Sequence, residues 1–147
     1  MLSTVVLSEV QQDNPEFRNA LMDAHLPTED LGEKGQTFFK AVLRDGEIVG
    51  YCGLVRCSED FLLRSLVIVP EKRGQGLGEA VVNAALRRLE KDSRVFLATT
   101  GAAPFFARLG FSEVLRETLP TAVLQTRQLA SICPSSATIM TFIRPST

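Results

Sequence analysis

Leu66-Val67-Ile68-Val69-Pro70-Glu71-Lys72-Arg73-Gly74-Gln75-Gly76-Leu77-Gly78 is the stretch that decides how this chain is read. An apolar run ends at Pro70, an Arg- and Gly-rich loop follows, and Leu77 opens a segment reaching residue 90 with Val81, Leu86 and Leu89 among its apolar positions. The reading is strand, loop, helix. Gly74, Gly76 and Gly78 fall at alternate positions and bare backbone N–H groups where the helix begins. Those unpaired donors and the helix dipole favour an anion at the same spot. Arg73 adds a fixed positive charge, and a diphosphate is the guest such a loop suits.

Three kinds of phosphate loop compete for this pattern. The nucleoside triphosphate loop needs Lys and then Ser or Thr before its helix, whereas Glu79-Ala80 follow Gly78 here. The dinucleotide fingerprint needs two residues between its second and third glycines, whereas only Leu77 separates Gly76 from Gly78. Arg-x-x-Gly-x-Gly after an apolar strand and a proline instead resembles motif A of the GNAT N-acetyltransferase superfamily, where it holds the diphosphate of coenzyme A. Read without a ligand, the same residues make a tight strand-to-helix turn. Ala103-Pro104-Phe105-Phe106-Ala107-Arg108-Leu109-Gly110-Phe111 resembles the superfamily's Phe-Tyr-x-x-x-Gly-Phe element and lies downstream of a predicted strand at 95–99. Gly110 suits the left-handed residue that ends a short helix. The resemblance implies an α/β GNAT fold: a mixed, mostly antiparallel sheet with a central, splayed parallel strand pair, flanked by helices. The whole chain, residues 1–147, reads as one such domain.

Composition bounds the alternatives. The chain has 147 residues, 45% of them hydrophobic, and a formal net charge of −1. That length allows a substantial core. Without a basic run, neither nucleic acid nor a membrane surface is an expected partner. No apolar run has the length of a membrane span and the N-terminus lacks a secretion signal, so a cytoplasmic protein is expected. Cys52, Cys57 and Cys133 are odd in number and suit a reducing compartment. His25 is the only histidine, and no Cys/His cluster has metal spacing, so no metal is expected.

Along the chain, residues 4–7 read as a first strand. Asn14 and Pro15 read as the N-cap and first position of a helix to about residue 24. Residues 26–36 read as a loop or short helix, a candidate specificity loop. Asp45-Gly46 between 37–44 and 47–55 signals a hairpin, and 61–69 is the next strand. Residues 111–116 and 137–143 read as late strands, joined by a long connection, 117–135.

By resemblance, the backbones of Val67 and Val69 would hold pantetheine and polarise the thioester. Arg73, Gly74, Gln75, Gly76, Leu77 and Gly78 would line the diphosphate, with Phe105 and Arg108 as further cofactor-binding residues. Many relatives place a Tyr, as general acid, where this chain has Phe106. Phenylalanine has no proton to give, so Tyr51, Ser65, Thr99, Thr100, Cys133, water or unassisted thiolate departure stay open. For the base, Glu59, Asp60 and water stay open. Arg64 sits mid-strand, where it either pairs with a carboxylate or snorkels, or lines the acceptor pocket. Ser65, Thr99 and Arg116 are further substrate-binding candidates. Residues 38–140, with Leu62-Leu63-Arg64-Ser65-Leu66, Thr99-Thr100 and Cys133-Pro134-Ser135-Ser136-Ala137, resemble the arsenic-resistance N-acetyltransferase-like branch. That implies acetyl-CoA as cosubstrate and a small, acidic amino-acid-like amine as acceptor, an arsenical or phosphinate analogue among the options, with a homodimer possible by analogy. A peptide amine acetyltransferase and a non-catalytic acyl-CoA-binding module are the alternatives.

Overall fold

The computed structural model describes residues 5–126 and 136–143. Seven strands of the described residues form one sheet in the order β1-β2-β3-β4-β5-β7-β6. They are β1 (Val6–Val10), β2 (Gln36–Val42), β3 (Ile48–Cys57), β4 (Asp60–Ile68), β5 (Arg94–Thr99), β6 (Ser112–Val114) and β7 (Thr138–Ile143). The β4–β5 pair is parallel, through Phe61↔Val95 and Leu62↔Phe96. The pairs β1–β2, β5–β7 and β6–β7 are antiparallel. The helices are α1 (Pro15–Asp23), α2 (Leu77–Arg87), α3 (Ala103–Arg108) and α4 (Thr121–Leu124).

The chain divides into two compact units, and β3 and β4 contribute residues to both. The first unit holds residues up to Leu54 and Ser65–Leu89. Its core gathers Phe17 and Leu21 of α1 with Leu31, Phe38, Tyr51 and Val67. The spacing of Phe17 and Leu21 puts both on one helix face. As expected, Asn14 caps α1, its side-chain oxygen accepting from the Phe17 N–H at 3.0 Å, with Pro15 in the first turn. The helix ends where His25 turns left-handed (φ 57°), with Leu26 N–H donating to Leu21 O and His25 N–H to Met22 O. That is a Schellman closure on a residue other than glycine.

The second unit holds Val55–Arg64 and the chain from Glu90. Its core gathers Val55, Cys57, Leu62, Phe96, Leu119, Val123 and Ile139. Here α3 closes as the sequence predicts. Gly110 has φ 103°, Gly110 N–H donates to Ala107 O and Phe111 N–H to Phe106 O. The Phe106 and Phe111 rings meet edge to face at 5.5 Å, the hydrophobic contact that accompanies such a closure.

Several boundaries differ from the sequence reading. β1 runs Val6–Val10 rather than 4–7, because its register with β2, Val6↔Val42 to Val10↔Phe38, carries polar Ser8 and Glu9 along. Glu9 is exposed and Ser8, on the opposite face, is half-buried. α2 stops at Arg87, and the i−3 bonds of Arg88 and Leu89 tighten its end. β6 keeps only Ser112–Val114, after which Thr118 Oγ1 donates to Leu115 O and a 3₁₀ turn forms. The connection from 117 contains α4, which seats fully buried Val123 in the second core.

Candidate active site

β4 begins as a regular strand and then breaks its pleat. Ser65 is left-handed at φ 58°, in mid-strand and buried. A residue with a Cβ in that conformation costs about 1–2 kcal/mol and re-aims the groups around it. Beyond it, Val69 N–H donates to Val49 O of β3 at 2.9 Å. A Cβ on Gly50 of β3 would lie 2.2 Å from Val67 O, so only glycine lets the two strands approach there. Val67 and Val69 therefore turn their backbone groups toward β3. Because backbone direction alternates along a strand, Leu66 and Ile68 face away. The backbone groups of Val67 and Val69 that the resemblance offers to the coenzyme thus face β3, Val69 N–H being bonded to it.

Ile68 O already accepts from Arg73 Nε at 2.8 Å. That bond fixes the Arg73 side chain across a short 3₁₀ turn, Pro70–Lys72, and leaves its other guanidinium N–H groups for an anion. Lys72 Nζ reaches Glu47 Oε2 at 2.9 Å, tying the turn to the β2–β3 hairpin. Gly74 and Gly76 are left-handed, and a Cβ on either would meet nothing within 4 Å. Gly76 is the N-cap of α2, with φ 76° and no side-chain capping bond. Residues 73–76 are exposed while Leu77 is buried and anchors the helix. The sequence-predicted loop is thus a bare helix terminus with open space before it and a tethered cation beside it, which is what a diphosphate needs.

The proton-transfer candidates separate. Tyr51 packs in the first core with Phe17 at 5.5 Å, and burial, with the Glu16 charge behind it, pushes its phenol up. It is a packing residue. Phe106 is buried between Phe105 and Phe111, ring centroids 5.0 and 5.5 Å away. Thr99 Oγ1 accepts from Ala102 N–H at 3.0 Å, bridging the turn into α3, and Thr100 is exposed. Asp60 is no free turn carboxylate, because Arg94 grips both its oxygens, whereas Glu59 is exposed. Arg64 is buried and, like Ser65 and Arg116, engaged by other groups of the chain. Phe105 is half-buried and Arg108 exposed on α3. Cys133 and Ser135 lie outside the described residues. Among the described residues no group of His, Cys, Asp and Glu could hold a metal ion, and no helix is long and apolar enough to cross a membrane.

Cys52 and Cys57 are buried free thiols. Burial pushes Cys52 up to about 12. Burial, and then the Asp60 charge, pushes Cys57 up to about 11. Both folded values exceed the ordinary 9.0. Their contribution to stability is therefore complete below that value and is lost as pH rises through the folded values. In a Cys133→Ser variant, native protein at pH 8 is expected to leave both thiols unlabelled by an aromatic disulfide reagent, and denatured protein to expose them. Fast labelling of the native variant would contradict this burial.

A sheet with one parallel pair inside it, a pleat broken in β4 and a bare α2 terminus directly after β4 define a coenzyme A-type acyltransferase architecture. A family model described as an acetyltransferase (GNAT) domain matches residues 5–123, and the chain belongs to that family. A mycothiol acetyltransferase from Nocardia farcinica is 30% identical over 119 residues, 78% of this chain and 39% of that protein. A Bacillus subtilis protein named as a proposed ribosomal protein bS18-alanine N-acetyltransferase is 35% identical over 66 residues, 44% of each chain. The match thus spans less than half the length of either relative. In fold, the chain is similar to N-acetylglutamate synthase from Neisseria gonorrhoeae solved with coenzyme A and L-arginine. The TM-score is 0.71 at 17% identity, covering 97% of this chain and 34% of that one.

Proposed function

We propose that this chain is an N-acetyltransferase that moves an acetyl group from acetyl-CoA directly to the amine of a small, acidic, amino-acid-like molecule. The observation that carries the reading is the uncapped, glycine-opened terminus of α2 directly after β4, with Arg73 tethered at its mouth. The diphosphate meets residues 73–78, and pantetheine runs along the groups of Leu66 and Ile68 that face away from β3. The irregular backbone at Ser65 supplies an N–H donor to the thioester carbonyl, a contact typically worth about 10²–10³ in rate. The amine nitrogen attacks that carbonyl carbon, and the oxygen gathers negative charge against the donor. The C–S bond then breaks with its electron pair on sulfur. The amine proton leaves to water and the thiolate takes one from water, because Phe106 has none to give. Residues 1–147 act in this reading as one domain in the cytoplasm, as a monomer or homodimer, with no metal.

The acidic character of the acceptor rests on the resemblance, because buried Arg64 is already engaged within the chain. Resemblance to the arsenic-resistance branch extends the acceptor class to phosphinate and arsonate amino-acid analogues. A second reading, acetylation of a protein α-amine, is supported by the Bacillus subtilis match. A third, coenzyme binding without turnover, is supported by the missing hydroxyl at Phe106. Acetylated products should be quantified by mass spectrometry for acidic amino acids, their phosphinate and arsonate analogues, polyamines and an alanine-starting peptide. Product confined to acidic amines is expected. Product confined to the peptide would replace this reading with the second, and none at all with acetyl-CoA still bound would favour the third.

A further inference from the structure

Lys72 and Glu47 meet where the turn before the phosphate loop passes the β2–β3 hairpin. Val69 N–H donates to Val49 O at 2.9 Å, so the residues after Val69 run beside those before Val49. Lys72 closes the 3₁₀ turn Pro70–Lys72, its N–H donating to Val69 O at 2.9 Å. Its Nζ lies 2.9 Å from Glu47 Oε2, and the Lys72 and Glu47 side chains are 21% and 56% exposed. Glu47 stands on a closed turn. Its N–H donates to Asp45 Oδ1 and its carbonyl accepts from Leu43 N–H, each at 2.9 Å, with Gly46 left-handed at φ 88°. All these residues belong to the first unit.

Lys72 and Arg73 are consecutive cations at the mouth of the loop, but they are held differently. Arg73 is tied through Nε to a backbone carbonyl, Ile68 O, which carries no net charge. Lys72 is tied to a carboxylate, which cancels its charge toward an anion nearby. An ion pair this exposed adds little stability, and a lysine ammonium is a movable point charge that phosphate binds well. A phosphate monoester or a diphosphate carries more negative charge than a carboxylate, so either can take the ammonium from Glu47. We propose that Lys72 binds a phosphate of coenzyme A and that Glu47 competes for it, holding the coenzyme's affinity below what Arg73 and Lys72 together would give. The inference rests on the reading that coenzyme A meets residues 73–78. A merely structural tie predicts the opposite sign at Glu47, since losing it would loosen the turn and weaken binding.

The test is calorimetric Kd for acetyl-CoA in wild type, Glu47→Gln, Lys72→Met and the double variant, at low and at high salt, well below each melting temperature. The same thioester lacking its 3′-phosphate is titrated in parallel. Glu47→Gln is expected to tighten acetyl-CoA binding by about 3- to 10-fold, and Lys72→Met to weaken it by a similar factor. Both effects should shrink at high salt. The double variant should bind as Lys72→Met does, because Glu47 acts through Lys72. A Lys72→Met loss confined to the full coenzyme assigns the ammonium to the 3′-phosphate, and an equal loss with both ligands assigns it to the diphosphate. Weaker binding in Glu47→Gln would show that the pair merely holds the turn and overturn the proposal. Unchanged Kd in either single variant would overturn it too, as would a gain from Glu47→Gln that survives in the double variant. Wild type that fails to bind acetyl-CoA overturns the underlying reading and this proposal with it. Wild type that binds without turnover contradicts catalysis alone, and the Kd values of the variants still decide the role of Lys72.

Discussion

Gly76→Ala is expected to weaken acetyl-CoA binding at least tenfold, and Gly76→Val further. Gly76 is the N-cap of α2 at φ 76°, and the space its Cβ would enter is open. A methyl group would therefore meet no protein atom. It would stand instead at the place proposed for the diphosphate, before the first N–H groups of the helix. A second cost comes from the backbone, since a Cβ in the left-handed region is disfavoured by about 1–2 kcal/mol and a β-branched side chain by more. Valine thus also strains the fold, so alanine is the cleaner probe of the coenzyme site. Calorimetric titration with acetyl-CoA, beside thermal unfolding, separates the two costs. Unchanged affinity in a folded Gly76→Ala protein would remove the loop from the coenzyme site. A matching loss in Arg73→Ala would show that the tethered guanidinium acts at the same place, since its Nε bond to Ile68 O holds it there.

Ser65→Val should produce the largest loss of stability at the site. Ser65 occupies φ 58° in mid-strand, a conformation that a β-branched residue resists. A cost of about 2 kcal/mol follows, equivalent to a fall of about 6 °C in melting temperature for a chain of this size. Turnover should fall with it, because relaxing the break would re-aim the N–H proposed to meet the thioester. Ser65→Gly divides backbone from hydroxyl: glycine keeps the left-handed turn at no steric cost and removes the oxygen. Turnover within a few-fold of wild type in Ser65→Gly is expected and would exclude the hydroxyl as the general acid. Loss of turnover in Ser65→Gly with coenzyme binding intact would instead make that hydroxyl the proton donor.

The contrast between Gly76 and Ser65 shows which parts of the site are legible in sequence. The loop at 73–78 is written in glycines, a fixed cation and a preceding proline, and each residue type names the conformation it will take. Gly110 is legible for the same reason, and Asn14-Pro15 likewise marks the start of α1. The break at Ser65 is not written locally, because serine has no preference for the left-handed region. It is imposed by how β4 is held. The same limit explains why Val67 and Val69 look like the coenzyme-pairing residues. Only the bond from Val69 N–H to Val49 O, with Gly50 pressed against Val67 O, reveals that Leu66 and Ile68 face the other way. Asp60 reads as a turn carboxylate until Arg94, 34 positions later, is seen gripping it. His25 closes α1 without the glycine that usually announces such a closure. Periodicity and turn chemistry therefore specify elements and the phosphate loop, whereas strand register and long-range pairing specify which backbone groups are left for a substrate.

The most direct test of the central claim is to follow free thiol released from acetyl-CoA against N-acetylated amine formed, with purified protein and an acidic amino-acid acceptor. One thiol per acetylated amine, with release dependent on the amine and sharply lowered at subsaturating acetyl-CoA in Gly76→Ala, is the predicted result. Saturable acetyl-CoA binding with no amine-dependent thiol release for acidic, polyamine or peptide acceptors would contradict the acetyltransferase reading.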